Sequence, residues 1–131
     1  MNSNTKIKSA DFDPKVIDPQ AIAKILQIAD HAFVVEMIDT YSEDAFNFMV
    51  QIENAYDSGN AEILRHAAHS LKSISASMGA MELSNICRTL EILAKHKKES
   101  LDSIQLAQIQ AEYTKVMLEL SFYRAEYDLA K

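Results

Sequence analysis

Tryptophan is absent from this 131-residue chain, and glycine and proline occur only twice each. A sheet protein with many hairpins needs turn formers in number, so their scarcity argues against a β fold and for helices. There is a single cysteine, Cys87. It excludes an internal disulfide framework and, without neighbouring cysteines, a zinc-finger pattern, and it fits a reducing compartment. No run approaches the roughly eighteen apolar residues of a membrane-spanning helix, and the opening MNSNTKIKSADFD lacks the apolar stretch of a secretory signal. The expectation is a cytoplasmic protein without a membrane partner.

Positive charge is also short, with 13 Lys and Arg against 19 Asp and Glu and a net charge of −6. A nucleic-acid backbone would be repelled unless the cations were gathered on one surface. The only dense basic run, KHKK at 95–98, falls at a predicted helix end, where it complements the helix dipole. No nucleic-acid partner is expected.

What the chain has in abundance is helical periodicity, over a length suited to one domain. Residues 1–16 are polar and aperiodic and are predicted to form a loose arm, leaving 17–131 as the domain. In IDPQAIAKIL, Asp18 can cap a short helix of which Pro19 is the first residue, where no N–H donor is needed. From 31 to 57, Val34, Met37, Ile38, Tyr41, Ala45, Phe48, Ile52, Ala55 and Tyr56 recur at three- and four-residue spacing. After DSGN, Asn60 can cap a third helix whose stripe is Leu64, Ala67, Ala68, Leu71, Ser75 and Met78, ending at Gly79. Leu83, Ile86, Cys87, Leu90, Leu93 and Ala94 mark a fourth, and Ser100 is the predicted cap of a fifth running through Leu106, Ile109, Tyr113, Met117, Leu120 and Tyr127. Short links between long amphipathic helices leave no room for crossovers. The predicted fold is all-α, an antiparallel up-down-up-down four-helix bundle with an additional short N-terminal helix.

One polar residue stands out. At about 100° per residue, His69 lies about 160° from the centre of its helix's apolar stripe, so it faces water. Its neighbours one turn away are Arg65, Lys72 and Ser73, and Ala76 lies on the same outward face. A neutral imidazole is a competent nucleophile, and its attack on an activated phosphoryl group creates a product with about two negative charges. Lys72 can reach those oxygens, Arg65 adds positive charge, and small residues at 70, 73, 76 and 77 leave room for another protein's active site. A metal reading is weaker: His66 and His69 form an H-x-x-H pair without a third ligand, so no metal is expected. On the second helix Val35, Phe46 and Val50 lie off the main stripe and read as an exposed apolar patch for a partner, unless the N-terminal helix covers part of it.

The stretch AHSLKSISASMGAMELSNICRTLE, residues 68–91, resembles the signature of histidine-containing phosphotransfer (HPt) domains, A-H-x-L-K-G-[SA]-[SA]-x-x-[LM]-G-[AL] followed by L-x-x-x-C-x-x-L-[EQ]. The resemblance extends upstream through the acidic helix and covers about 100 residues. It implies that His69 is the phosphoryl acceptor, Lys72 the lysine beside the phosphate, Gly79 the glycine after the active helix, and Glu91 the residue that orients the imidazole. It further implies a monomeric carrier in a multistep phosphorelay. Such a carrier takes its phosphoryl group from the receiver domain of a hybrid sensor kinase and passes it to a response regulator. No nucleotide-binding loop is present, so the chain is expected not to be an enzyme, to hold no cofactor, and to rely on Mg²⁺ in the partner receiver domain. The departure is Ser73, which stands where the family usually has glycine; slower or more partner-selective transfer is the expected consequence. The alternative is a helical adaptor that binds signalling partners without being phosphorylated, and retention of both His69 and Lys72 argues against it.

Overall fold

Helix starts fall where a side chain can replace the missing backbone partners. The computed structural model describes residues 12–97 and 102–129. The Asp18 carboxylate accepts from the Gln20 N–H and Pro19 opens α1, Pro19–Leu26. Asp30 caps α2, His31–Ser58, through the Phe33 N–H, and Asn60 caps α3, Ala61–Ser77, through the Ile63 N–H. Two further helices follow, α4 at Met81–Lys97 and α5 at Ser103–Leu129. The predicted cap Ser100 lies outside the described residues, and Asp102 takes that role: its carboxylate accepts from the Gln105 N–H while the Gln105 side chain accepts from the Asp102 N–H. This reciprocal pair satisfies two free donors at once.

Helices α2 and α3 stop at the chain's two glycines. Gly59 has φ +68° after α2, and Gly79 has φ +86° after α3. Around Gly79 the Ala80 N–H reaches back to the Ser75 carbonyl and the Gly79 N–H to that of Ala76, closing the helix end. A Cβ on Gly79 would lie 2.7 Å from the Cβ of Ala21 and 3.0 Å from the Asp18 carbonyl oxygen. The start of α1 therefore packs where a side chain would otherwise be, and the Asp18 N–H donates to the Gly79 carbonyl at 2.9 Å.

The four long helices form an antiparallel bundle, with α2 packed on α3 and α5, and α4 packed on α3 and α5. The direction of each neighbour is fixed by its side-chain bonds: Asp39 with Arg124 and Glu53 with Gln110 between α2 and α5, His69 with Glu91 and Lys72 with Ser84 between α3 and α4. All six residues of the predicted α3 stripe are buried, as are Val34, Ile38, Tyr41, Ala45, Ile52 and Ala55 of α2. Tyr41 and Ser75 share a buried hydroxyl–hydroxyl hydrogen bond of 2.8 Å, which accounts for a serine within an apolar stripe. Desolvation pushes the Tyr41 phenol far above its usual range, and the Cys87 thiol, buried in α4, up to about 12.

Two sequence-based expectations change. Of residues 12–16, placed in a loose arm, Phe12 and Val16 are packed: Phe12 meets Phe122 edge-on and Tyr123 at a tilt, and Val16 joins the core next to Ile17. The Asp13 N–H donates to the buried Glu119 carboxylate of α5. Residues 1–11 lie outside the described residues. Second, Val35 is buried and Val50 half-buried, leaving only Phe46 exposed, so the three do not form an open apolar patch. This flank of α2 faces α5: the His31 ring lies at a tilt 5.0 Å from that of Tyr127 and Asp39 pairs with Arg124, one turn on either side of Val35.

Candidate functional site

Burying Leu64, Ala67, Ala68 and Leu71 turns the opposite face of α3 to solvent, and His69 stands on it with its side chain 57% exposed. Packing α4 antiparallel on α3 then brings Glu91 beside it. The Glu91 carboxylate is 18% exposed and bridges two groups, Oε2 lying 2.8 Å from His69 Nδ1 and Oε1 accepting from Lys72 Nζ at 2.8 Å. An ionised carboxylate can only accept, so the ring proton sits on Nδ1. In the neutral ring this leaves the lone pair on Nε2, the nitrogen away from Glu91.

The electrostatics keep that carboxylate charged. Burial pushes Glu91 up, but the hydrogen bonds from Lys72 and His69 and their charges outweigh it, and the carboxyl is held below its usual range. Lys72 is itself braced from below, since the Ser84 hydroxyl donates to the Lys72 carbonyl at 3.0 Å. The site thus combines an outward-facing imidazole, an anion that sets its tautomer and a cation one turn away.

Of the other expected residues, Arg65 is paired with Glu62, its Nη2 lying 2.9 Å from Glu62 Oε2. His66 contacts the same oxygen at 3.0 Å and does not pair with His69; no group of metal-binding type occurs among the described residues. Ser73 is exposed and its hydroxyl donates to the His69 carbonyl at 3.3 Å, a bond repeated one turn later from Ser77 to Ser73. Its Oγ is thus occupied along the helix rather than presented outward. Ala76 is exposed on the same surface. Beyond it, α2 and α3 form an open groove of about 350 Å³ that includes Phe33, Met37, Ile74 and Met78. Sequence spacing pointed instead to Val35, Phe46 and Val50. No spacing in the sequence marks the groove, because the pairing of Tyr41 with Ser75 that fixes which flank of α2 meets α3 forms only in the folded bundle.

The family model of the Hpt domain matches residues 36–117. In fold the chain is similar to the crystal structure of histidine-containing phosphotransfer protein B (HptB) from Pseudomonas aeruginosa PAO1. The TM-score is 0.65 at 24% identity, over 90% of this chain and 96% of that one. No curated protein matches the chain in sequence. No described helix is long and apolar enough to cross a membrane.

Proposed function

This chain belongs to the Hpt domain family, and on that premise we propose that it is a phosphoryl carrier in a multistep phosphorelay, with His69 as the acceptor. Nε2 of His69 attacks the phosphorus of an aspartyl phosphate on a partner receiver domain. The P–O bond breaks with its electron pair leaving on the aspartate, and a second receiver takes the group by the reverse step. Glu91 holds Nδ1 protonated so that Nε2 carries the lone pair, and the positive charge of Lys72, one turn from the ring and held by Glu91, stabilises the arriving phosphoryl oxygens. The receiver domain supplies Mg²⁺ and the acidic pocket, because this chain has no nucleotide loop with which to generate a phosphoryl group. The receiver docks over the exposed face of α3 and the apolar groove between α2 and α3.

The observation that carries this reading is the 2.8 Å contact between His69 Nδ1 and Glu91 on an otherwise exposed ring. A helical adaptor would need neither. Incubation with a phosphorylated receiver domain is expected to label the wild type with acid-labile phosphate and to leave His69→Gln unlabelled. Equal labelling of the two rejects His69 as the acceptor.

A further inference from the structure

When Nε2 attacks, its lone pair becomes the N–P bond while the proton on Nδ1 stays in place, so the ring becomes a cation. It can then release that proton or keep it, and the two forms differ as leaving groups. From the protonated ring the N–P electron pair returns to a neutral imidazole. From the deprotonated ring it would have to form an imidazolate anion, a far poorer leaving group.

We propose that Glu91 keeps phosphorylated His69 protonated on Nδ1 and thereby holds the phosphoryl group in its transferable form. The proposal rests on the phosphotransfer reading and adds to it a positioning residue that sets how readily the group leaves. Three observations carry it. Glu91 Oε2 is 2.8 Å from Nδ1, on the ring nitrogen that phosphorylation leaves untouched. The carboxylate comes from α4 and is only 18% exposed, so helix packing rather than a mobile surface side chain holds it in place. Its other oxygen is tied to Lys72 at 2.8 Å, and an anion already contacting a cation is a poor acceptor for the ring proton. Glu91 accepts the hydrogen bond without taking the proton.

The remaining charges near the ring do not substitute for it. On α3 these are Lys72, Arg65 with its partner Glu62, and His66. On α4, Arg88 and Lys95 lie one turn before and after Glu91, and Glu36 and Asp44 of α2 line the neighbouring groove. Cations disfavour a protonated ring, and among the described residues Glu91 is the one carboxylate hydrogen-bonded to it.

The test uses phosphoramidate, a small phosphoryl donor that needs no receiver domain, on the full chain. The phosphorylated ring is followed by ¹⁵N and ³¹P NMR against pH in the wild type, Glu91→Gln and Lys72→Met. Glutamine keeps the shape and the hydrogen-bonding oxygen but removes the charge. The protonation midpoint is expected to fall by about one pH unit or more in Glu91→Gln, and its phosphohistidine to outlast that of the wild type about tenfold on the alkaline side of that midpoint. Lys72→Met, which removes a competing cation, is expected to move the midpoint upward. Midpoints that coincide in wild type and Glu91→Gln, with His69 labelled in both, overturn the inference while leaving the phosphotransfer reading standing. Absence of label on wild-type His69 overturns both, and a downward shift in Lys72→Met contradicts the electrostatic argument independently of how Glu91→Gln folds.

Discussion

At the scale of single residues, Ser73 separates two effects that the sequence left joined. Its hydroxyl bonds to the His69 carbonyl, so it is not a ready donor to a phosphoryl group. What remains is bulk: a Cβ and Oγ one turn from the imidazole, on the exposed face of α3 over which a receiver domain is proposed to dock. Ser73→Gly is therefore expected to speed transfer from a receiver domain while lowering helix stability by about 0.5 kcal/mol. Stopped-flow transfer rates beside urea unfolding measure both, and an unchanged rate removes bulk as the cause. Glu91 illustrates the limit of reading along the chain. The motif places it, but the shared carboxylate between positions 69 and 72 exists only after two helices have packed.

Among elements, what was legible was whatever depends on local spacing. The α3 stripe is buried residue for residue, and Asp18 and Asn60 cap the helices they were expected to cap, because period and capping are properties of a few consecutive residues. What was missed depends on partners distant in sequence. Val35 is buried on the flank of α2 that meets α5, some ninety residues on, and Phe12 packs against Phe122 and Tyr123. The two glycines make the same contrast testable. Gly59 has open space where its Cβ would be, so alanine there meets only the cost of a left-handed backbone, about 1–2 kcal/mol. Gly79→Ala adds a clash with Ala21 and with the start of α1 and is expected to cost roughly 2–4 kcal/mol. Thermal or urea unfolding of the pair checks the difference, and equal losses would mean that α1 yields without cost.

For the molecule as a whole, two carboxyls pull the acid response in opposite directions. Glu91 is lowered, its burial outweighed by its bonds to Lys72 and His69, so its contribution is present above the ordinary value of 4.5 and lost as pH falls through the depressed one. Glu119 is raised, chiefly by desolvation and further by the Asp13 charge, so its ionisation burdens the fold increasingly from 4.5 upward. Urea unfolding across pH 3–8 is expected to show Glu91→Gln less stable than the wild type near neutrality and converging with it in acid. Glu119→Gln is expected to be more stable near neutrality and likewise to converge in acid. A Glu119→Gln variant weaker than the wild type at neutral pH would mean that the Asp13 N–H needs a charged acceptor.

The imidazole hangs from one helix and its proton clamp from the next. A nascent or unravelled copy of the chain therefore carries only an ordinary histidine, without a fixed tautomer or a nearby clamp. The tautomer is thus a property of the assembled helix pair, and it vanishes as soon as those two helices part.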